Sequence, residues 1–379
     1  MGLADLTYEP EKYHSGKDDN LQPLESLDLS KVSDFDELTK AMSLTSFSGR
    51  SLGEAVDILC EMVKDNNTFV IGTFAGAMTG AKMGLLICEM IDRGMLQAVV
   101  TTGALMSHGL VEGLGMHHFK YRANGVDDKD LLEKGYDRIY DTLELEKNLD
   151  EMELLLEPVL NSLNDETISS HELNYHVGKY LHENNPPERK SILKSAFLRS
   201  TPVYIPAFSD SVYGMNFSWH NHERKLNDRQ AIVYDPFRDL DDLAHRIIKS
   251  KKKLGIFTIG GGVPRNWAQE IAPYIYQLYI SYGLIKDSNK KNLSYNKEFK
   301  KKYIDECKPI RYQYGIRICP EPAHWGGLSG CTYSEGVSWG KFIPESEGGK
   351  YAEVYSDATV AWPLILKAAI QRLEKKYGK

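Results

Sequence analysis

The stretch Thr68-Phe69-Val70-Ile71-Gly72-Thr73-Phe74, followed at once by Ala75-Gly76, decides the fold. It is β-branched and aromatic from end to end, without polar alternation, which describes a strand buried on both faces. A helical pattern from about Met78 to Arg93 comes next. A second apolar run, Gln97-Ala98-Val99-Val100-Thr101-Thr102, then leads into Gly103. Strand, turn, helix and strand in this order predict a parallel sheet with helices on both faces, a Rossmann-like α/β fold.

Working outward, Val56, Leu59 and Val63 mark one face of a helix beginning after Ser51, and the residues before it read as an N-terminal arm over 1–50. The remainder, 51–379, reads as a single domain. From about 127 to 195 the pattern turns charged and helical, including LEKNLDEMELLLEPVLNSLND, and predicts a helical insertion. Alternation then resumes. Strands are expected at Val203-Tyr204-Ile205-Pro206, Ala231-Ile232-Val233, Leu254 to Ile259, Gly315 to Cys319 and Val354-Tyr355, with helices from about Asp239 to Lys252 and Val360 to Lys376. The Lys-, Asn- and Ser-rich segment 287–302 reads as a solvated excursion.

The chain has 379 residues, 42% of them hydrophobic, enough for a sizeable core. A net charge of -7 and a pI near 5.9 argue against nucleic acid or an anionic membrane as partner and leave room for a cationic ligand. No run approaches the roughly 18 apolar residues of a membrane span, and the polar start, MGLADLTYEPEKYHSGKDD, is unlike a secretory signal, so a cytoplasmic protein is expected. Five cysteines without a C-x-x-C pair suggest neither a disulfide framework nor a zinc site, and no metal is expected.

Ligands of a parallel α/β sheet bind beyond the carboxyl ends of its strands, so the residues following each strand are the informative ones. Ala75 to Gly80 offers small residues where backbone N–H groups can approach a pyrophosphate, and tight helix packing is the competing reading. Thr102 and Gly103 follow the second strand. Asp210 and Asp357 each put a carboxylate at a strand end, suited to ribose hydroxyls or a cationic amine, with capping of the next helix as the alternative. Gly260-Gly261-Gly262 removes every side chain between strand and ligand. Together these imply a dinucleotide.

Glu335-Gly336-Val337-Ser338-Trp339-Gly340-Lys341 is the remaining constellation. A lysine becomes a nucleophile toward a carbonyl or imine in an apolar or electropositive setting, and Trp339 is placed to supply a wall. Trp339 and Glu335 also suit a polyamine, by a cation–π face and an ion pair. A lone lysine is otherwise most often a surface residue.

The elements E-x-x-S-W-G-K at Glu335 to Lys341, G-G-G-V at Gly260 to Val263, V-T-T at Val100 to Thr102 and Y-x-D-A at Tyr355 to Ala358, in this order, resemble the deoxyhypusine synthase family. The resemblance implies an NAD-dependent transferase that passes an aminobutyl-type group from spermidine to an acceptor amine through an imine on Lys341. It implies that Glu335, Trp339 and Asn266 meet the polyamine, and that Thr102, Gly103, Asp210, Gly261, Gly262, Asp357 and Ala358 contact NAD. It also implies a homotetramer with sites at a dimer interface. Asn266 stands where the eukaryotic members have a histidine, and Met215 and Leu328 stand where they have aspartates, so two amine anchors are missing. With Trp325-Gly326-Gly327-Leu328-Ser329-Gly330 the chain resembles the prokaryotic, deoxyhypusine synthase-like branch, in which free polyamines can be the acceptors. The acceptor is then a protein lysine or a free polyamine, as in a homospermidine-type synthase or one using a guanidino amine such as agmatine. A non-catalytic NAD- or polyamine-binding paralogue is the further alternative. His108 and His324 lie close to the motifs as candidate proton-transfer groups or as structural histidines.

Overall fold

The computed structural model describes residues 10–122, 127–163, 167–282, 284–285 and 309–377. Six strands form the main sheet: β1 (Thr68–Phe74), β2 (Ala98–Thr101), β3 (Val203–Tyr204), β4 (Lys253–Ile259), β5 (Tyr312–Ile318) and β6 (Lys350–Val354). All their pairings are parallel. Their spatial order is β3-β2-β1-β4-β5-β6, the doubly wound order in which the chain reverses direction between β1 and β4 and opens a crevice at their carboxyl ends.

Every residue of β1 and β2 is buried, as a sheet covered on both sides requires. Alternate side chains feed two cores. Val70 and Phe74 of β1 and Phe257 of β4 pack with the helices Phe47–Lys64 and Ala358–Tyr377, while Phe69, Ile71 and Ile256 pack with Phe237–Ser250 and Gly262–Ser281. Trp362 stacks on Phe74 at 5.5 Å between ring centroids and anchors the C-terminal helix to the first strand.

Three readings need correction. The first long helix starts at Phe47, not after Ser51. The helix after β1 is only Gly84–Asp92, because residues 75–83 make turns that include Lys82 in the left-handed region at φ 64°. Val233-Tyr234 does form a strand, but it pairs with Thr167-Ile168 outside the main sheet. The helical insertion also carries antiparallel strands: Tyr136–Ile139 and Thr142–Leu145 form a hairpin that Phe119–Lys120 extends. The segment 287–302 lies outside the described residues. Within the arm, the helix Phe35–Ser43 packs on the C-terminal helix, where Gln371 accepts from the backbone N–H groups of Phe35 and Asp36. No helix among the described residues is long and apolar enough to cross a membrane.

Candidate functional site: a lysine cavity beside the carboxyl edge of the sheet

The main chain of Lys341 is fixed at the amino end of β5, where its carbonyl accepts from the N–H of Tyr312 at 2.9 Å. That position is about 20 Å from the carboxyl end of a seven-residue strand. Thr332 caps the short helix Tyr333–Ser338 by accepting from the N–H of Glu335. After it, Gly340 at φ 70° turns the chain so that Phe342 bridges to Tyr312 of β5. Nothing lies within 4 Å of a Cβ placed on Gly340, so conformation and not space calls for glycine.

The side chain of Lys341 lines a cavity of about 240 Å³. The first two turns of the helix Gly262–Ser281 line one wall with Asn266, Gln269 and Glu270, and Leu328, Glu335 and Trp339 line the other. Lys341 is 7% exposed. Its Nζ lies 2.6 Å from Oε1 of Glu270 and 5.4 Å from the centroid of the Trp339 ring. The lysine head thus has a carboxylate and an aromatic face as its neighbours, in a pocket that stays open to solvent, the side chain of Glu270 being 48% exposed.

The loop that shapes the cavity is held from beneath by two buried arginines. Arg265 and Arg317 both donate to the carbonyl of Ser329, and Arg265 also donates to that of Cys331. Glu353 pairs with Arg317 at 3.1 Å and accepts from the N–H of Tyr333 at 2.7 Å. Burial pushes the Tyr333 phenol up to about 12, so it remains a donor to the carbonyl of Ile316. Burial likewise pushes the Cys88 thiol up to about 12, far from reactive.

The residues read from sequence as a polyamine pocket, Glu335, Trp339 and Asn266, thus share one cavity with Lys341. Those read as cofactor contacts lie apart from it, along the carboxyl edge. Thr102 caps the helix Gly103–Gly113 by accepting from the N–H of Leu105. A Cβ on Gly103 would fall 2.4 Å from Oγ of Ser211, so this glycine lets the ends of β2 and β3 close up, with Asp210 exposed beside them. Gly260 and Gly262 have φ of 75° and 61°, and a Cβ on Gly262 would meet nothing within 4 Å. This glycine loop lies at the switch point between β1 and β4, where a parallel α/β sheet opens its crevice. Asp357 uses Oδ1 to accept from the N–H of Thr359 at 2.7 Å, so the capping role is realised there, and Ala358 begins the helix. Gly261 joins the two regions, since its Cβ would lie 2.6 Å from the Cα of Ser329, in the loop that carries Leu328.

The sequence reading missed Glu270. The available signal was its place one helical turn after Asn266, on the same face. His324 is exposed, with its ring edge-on to Trp325. His108 points instead at Glu144.

Fold and cavity together define a doubly wound α/β protein that keeps a buried lysine in an open pocket beside the carboxyl edge of its sheet. The sequence profile of deoxyhypusine synthase matches residues 37–369. The chain therefore belongs to the deoxyhypusine synthase family. A probable deoxyhypusine synthase 2 of Methanosarcina acetivorans is 32% identical over 88% of this chain and 85% of its own length. One from Archaeoglobus fulgidus is 30% identical over 89% and 98%. A deoxyhypusine synthase-like protein of Chlorobaculum tepidum is 31% identical over 86% and 84%. The crystal structure of a candidate deoxyhypusine synthase from Entamoeba histolytica superposes with a TM-score of 0.54 at 14% identity, covering 92% of this chain and 97% of the other, which speaks to the fold.

Proposed function

We propose that the chain is an NAD-dependent transferase that moves an aminobutyl-type group from a polyamine to an acceptor amine through an imine on Lys341. The observation that carries this reading is the seating of Lys341, 7% exposed, against Glu270 and Trp339 in a cavity open to a small molecule. Bound NAD supplies the two-electron oxidation that makes the C–N bond of a secondary amine exchangeable, and returns the hydride at the end. The glycine loop at Gly260 to Gly262 and the strand ends carrying Thr102, Gly103, Asp210, Asp357 and Ala358 are the places that fit it. Within this reading, Glu270 takes up a proton from Lys341. The freed amine adds to the imine carbon, the donor's leaving amine departs, and the acceptor amine displaces Lys341 by the same exchange. Trp339 faces the methylenes and Glu335 the far ammonium.

Leu328 lines the cavity where an aspartate would offer another anchor, and Glu270 and Glu335 are the carboxylates that remain there. This favours a free amine as acceptor, in a homospermidine-type reaction or one using agmatine, over a protein lysine. The cavity lining also carries an exposed apolar rim, Trp339 at 68% and Leu328 at 47%. A second copy covering that rim would complete the site across a dimer interface within a homotetramer, and would exclude water from the imine.

The test is borohydride trapping followed by mass spectrometry of the protein with NAD and, separately, spermidine, putrescine or agmatine. An adduct on Lys341 and a new polyamine are expected, with neither in Lys341→Arg. No adduct and no product from any of the amines would end the transferase reading.

A further inference from the structure

Away from the lysine cavity, folding brings three ligand-type side chains from separate elements to one point. His108 lies on the helix Gly103–Gly113, on the partly open stripe it shares with Ala104 and Glu112. His118 sits in the turn just before Phe119–Lys120, and Glu144 is in the hairpin strand Thr142–Leu145. Their ligand atoms all lie within 4.8 Å of one another.

Both nitrogens converge on one oxygen. His108 Nδ1 contacts Oε2 of Glu144, and His118 Nε2 lies 3.4 Å from the same atom. The side chains of His118 and Glu144 are each 1% exposed, and His108 is 23% exposed. Two buried polar atoms in this cluster have no hydrogen-bond partner, Oε1 of Glu144 and Nε2 of His118. A carboxylate taken fully out of water is costly unless a cation compensates it. Two imidazole nitrogens and a carboxylate whose ligand atoms lie this close form the ligand set of a catalytic-type zinc site with an open position.

We propose that His108, His118 and Glu144 bind one divalent transition-metal ion of the zinc class, with the remaining coordination position opening to solvent on the His108 side. The expectation of no metal came from cysteine spacing, which is blind to histidines that meet only in the fold. One further group bears on the site. Lys82 Nζ lies 3.0 Å from Nδ1 of His118 and 3.7 Å from Oε1 of Glu112. With a metal on Nε2, the proton of His118 resides on Nδ1, where an ammonium cannot stay as donor. Metal binding therefore requires Lys82 to turn to Glu112, and removing that ammonium strengthens the site.

The experiment uses the full chain without a polyhistidine tag, stripped with chelator and titrated with Zn²⁺ by calorimetry, with bound metal counted by elemental mass spectrometry and Co²⁺ as an optical probe. One ion per chain is expected, with at least tenfold weaker binding in Glu144→Gln and in His108→Ala, and tighter binding in Lys82→Met. The Lys82 variant keeps the test informative if a ligand variant fails to fold. No stoichiometric binding by the wild-type chain, or binding unchanged in Glu144→Gln and in Lys82→Met, would overturn the assignment.

Discussion

The ammonium nitrogen of Lys341 lies 2.6 Å from Oε1 of Glu270, a residue 71 positions earlier and two turns into the helix that follows the glycine loop. The pair ties the lysine to the helix that begins at the crevice between β1 and β4. In the proposed reaction the nitrogen of Lys341 is the nucleophile, and Glu270 is the carboxylate within hydrogen-bond reach of it. Glu270→Gln keeps size and polarity and removes the proton acceptor. The rate of Lys341 adduct formation, followed by quenched trapping, should fall by more than tenfold, about 1.4 kcal/mol in the barrier. An unchanged rate would place the proton acceptor elsewhere.

Glu335 lines the same cavity from the opposite side, yet its side chain is exposed at the start of its helix. Glu335→Gln should therefore leave the melting temperature almost untouched, a change within about 0.5 kcal/mol. The KM for the polyamine should rise by more than tenfold with a smaller change in kcat, because what is lost is an ion pair to the far end of the substrate. Unaltered kinetics would seat the distal ammonium away from this wall.

What the sequence made legible follows from where the physics is local. β1 and β4 are continuous apolar runs ending in glycine, so strand identity and the crevice beyond them are written in neighbouring residues. Lys341, Trp339 and Glu335 are likewise close in the chain. The start of the first long helix was not legible, because Phe47 is 92% exposed with φ 59° and Ser46 makes no side-chain cap. Val233 reads as a sheet strand by composition alone, and its pairing with Thr167 depends on a partner far away in the chain. Glu270 and the pair Glu144 and His118 belong to the same class: each acquires its meaning from contacts that only tertiary packing creates.

Two adjacent glycines separate space from conformation. Gly261, with φ 171°, lies outside the left-handed region, and its Cβ would sit 2.6 Å from the backbone of Ser329. Gly262 has open space around it and φ 61°. Gly261→Ala should displace the loop carrying Leu328 and weaken both NAD binding and adduct formation. Gly262→Ala should cost about 1 kcal/mol of backbone strain in urea unfolding and weaken NAD binding more than lysine reactivity. Equal effects of the two variants on both readouts would contradict this division.

Asp36 fastens the helix Phe35–Ser43 to the rest of the chain. It is 1% exposed, with Arg372 Nε at 2.6 Å and Lys40 Nζ at 2.8 Å. Burial alone would raise its carboxyl, but the bonds from Lys40 and Arg372 outweigh burial and hold it below the ordinary value. A carboxyl depressed in the folded state stabilises above its unfolded pKa, and that contribution is lost as pH falls through the folded value. Asp36→Asn should lose roughly 3 kcal/mol at pH 7. The gap from wild type should narrow once pH drops below about 4. A gap of constant size across urea titrations from neutral to acid pH would show that the ion pairs are not its source.

Asp357 is the residue on which the two readings of a strand-end carboxylate can be separated. Its Oδ1 caps the C-terminal helix through the N–H and hydroxyl of Thr359, and the proposed cofactor role needs a charged carboxylate facing ribose hydroxyls. Asparagine caps a helix about as well as aspartate, whereas alanine gives up roughly 1 kcal/mol. Asp357→Asn should therefore keep the melting temperature while weakening NAD binding in calorimetry, and Asp357→Ala should lower both. If Asp357→Asn binds NAD like the wild type while Asp357→Ala is merely less stable, the carboxylate is a cap alone. The ribose contact of the proposed cofactor site would then have to come from another group, with Asp210 at the end of β3 the next to test.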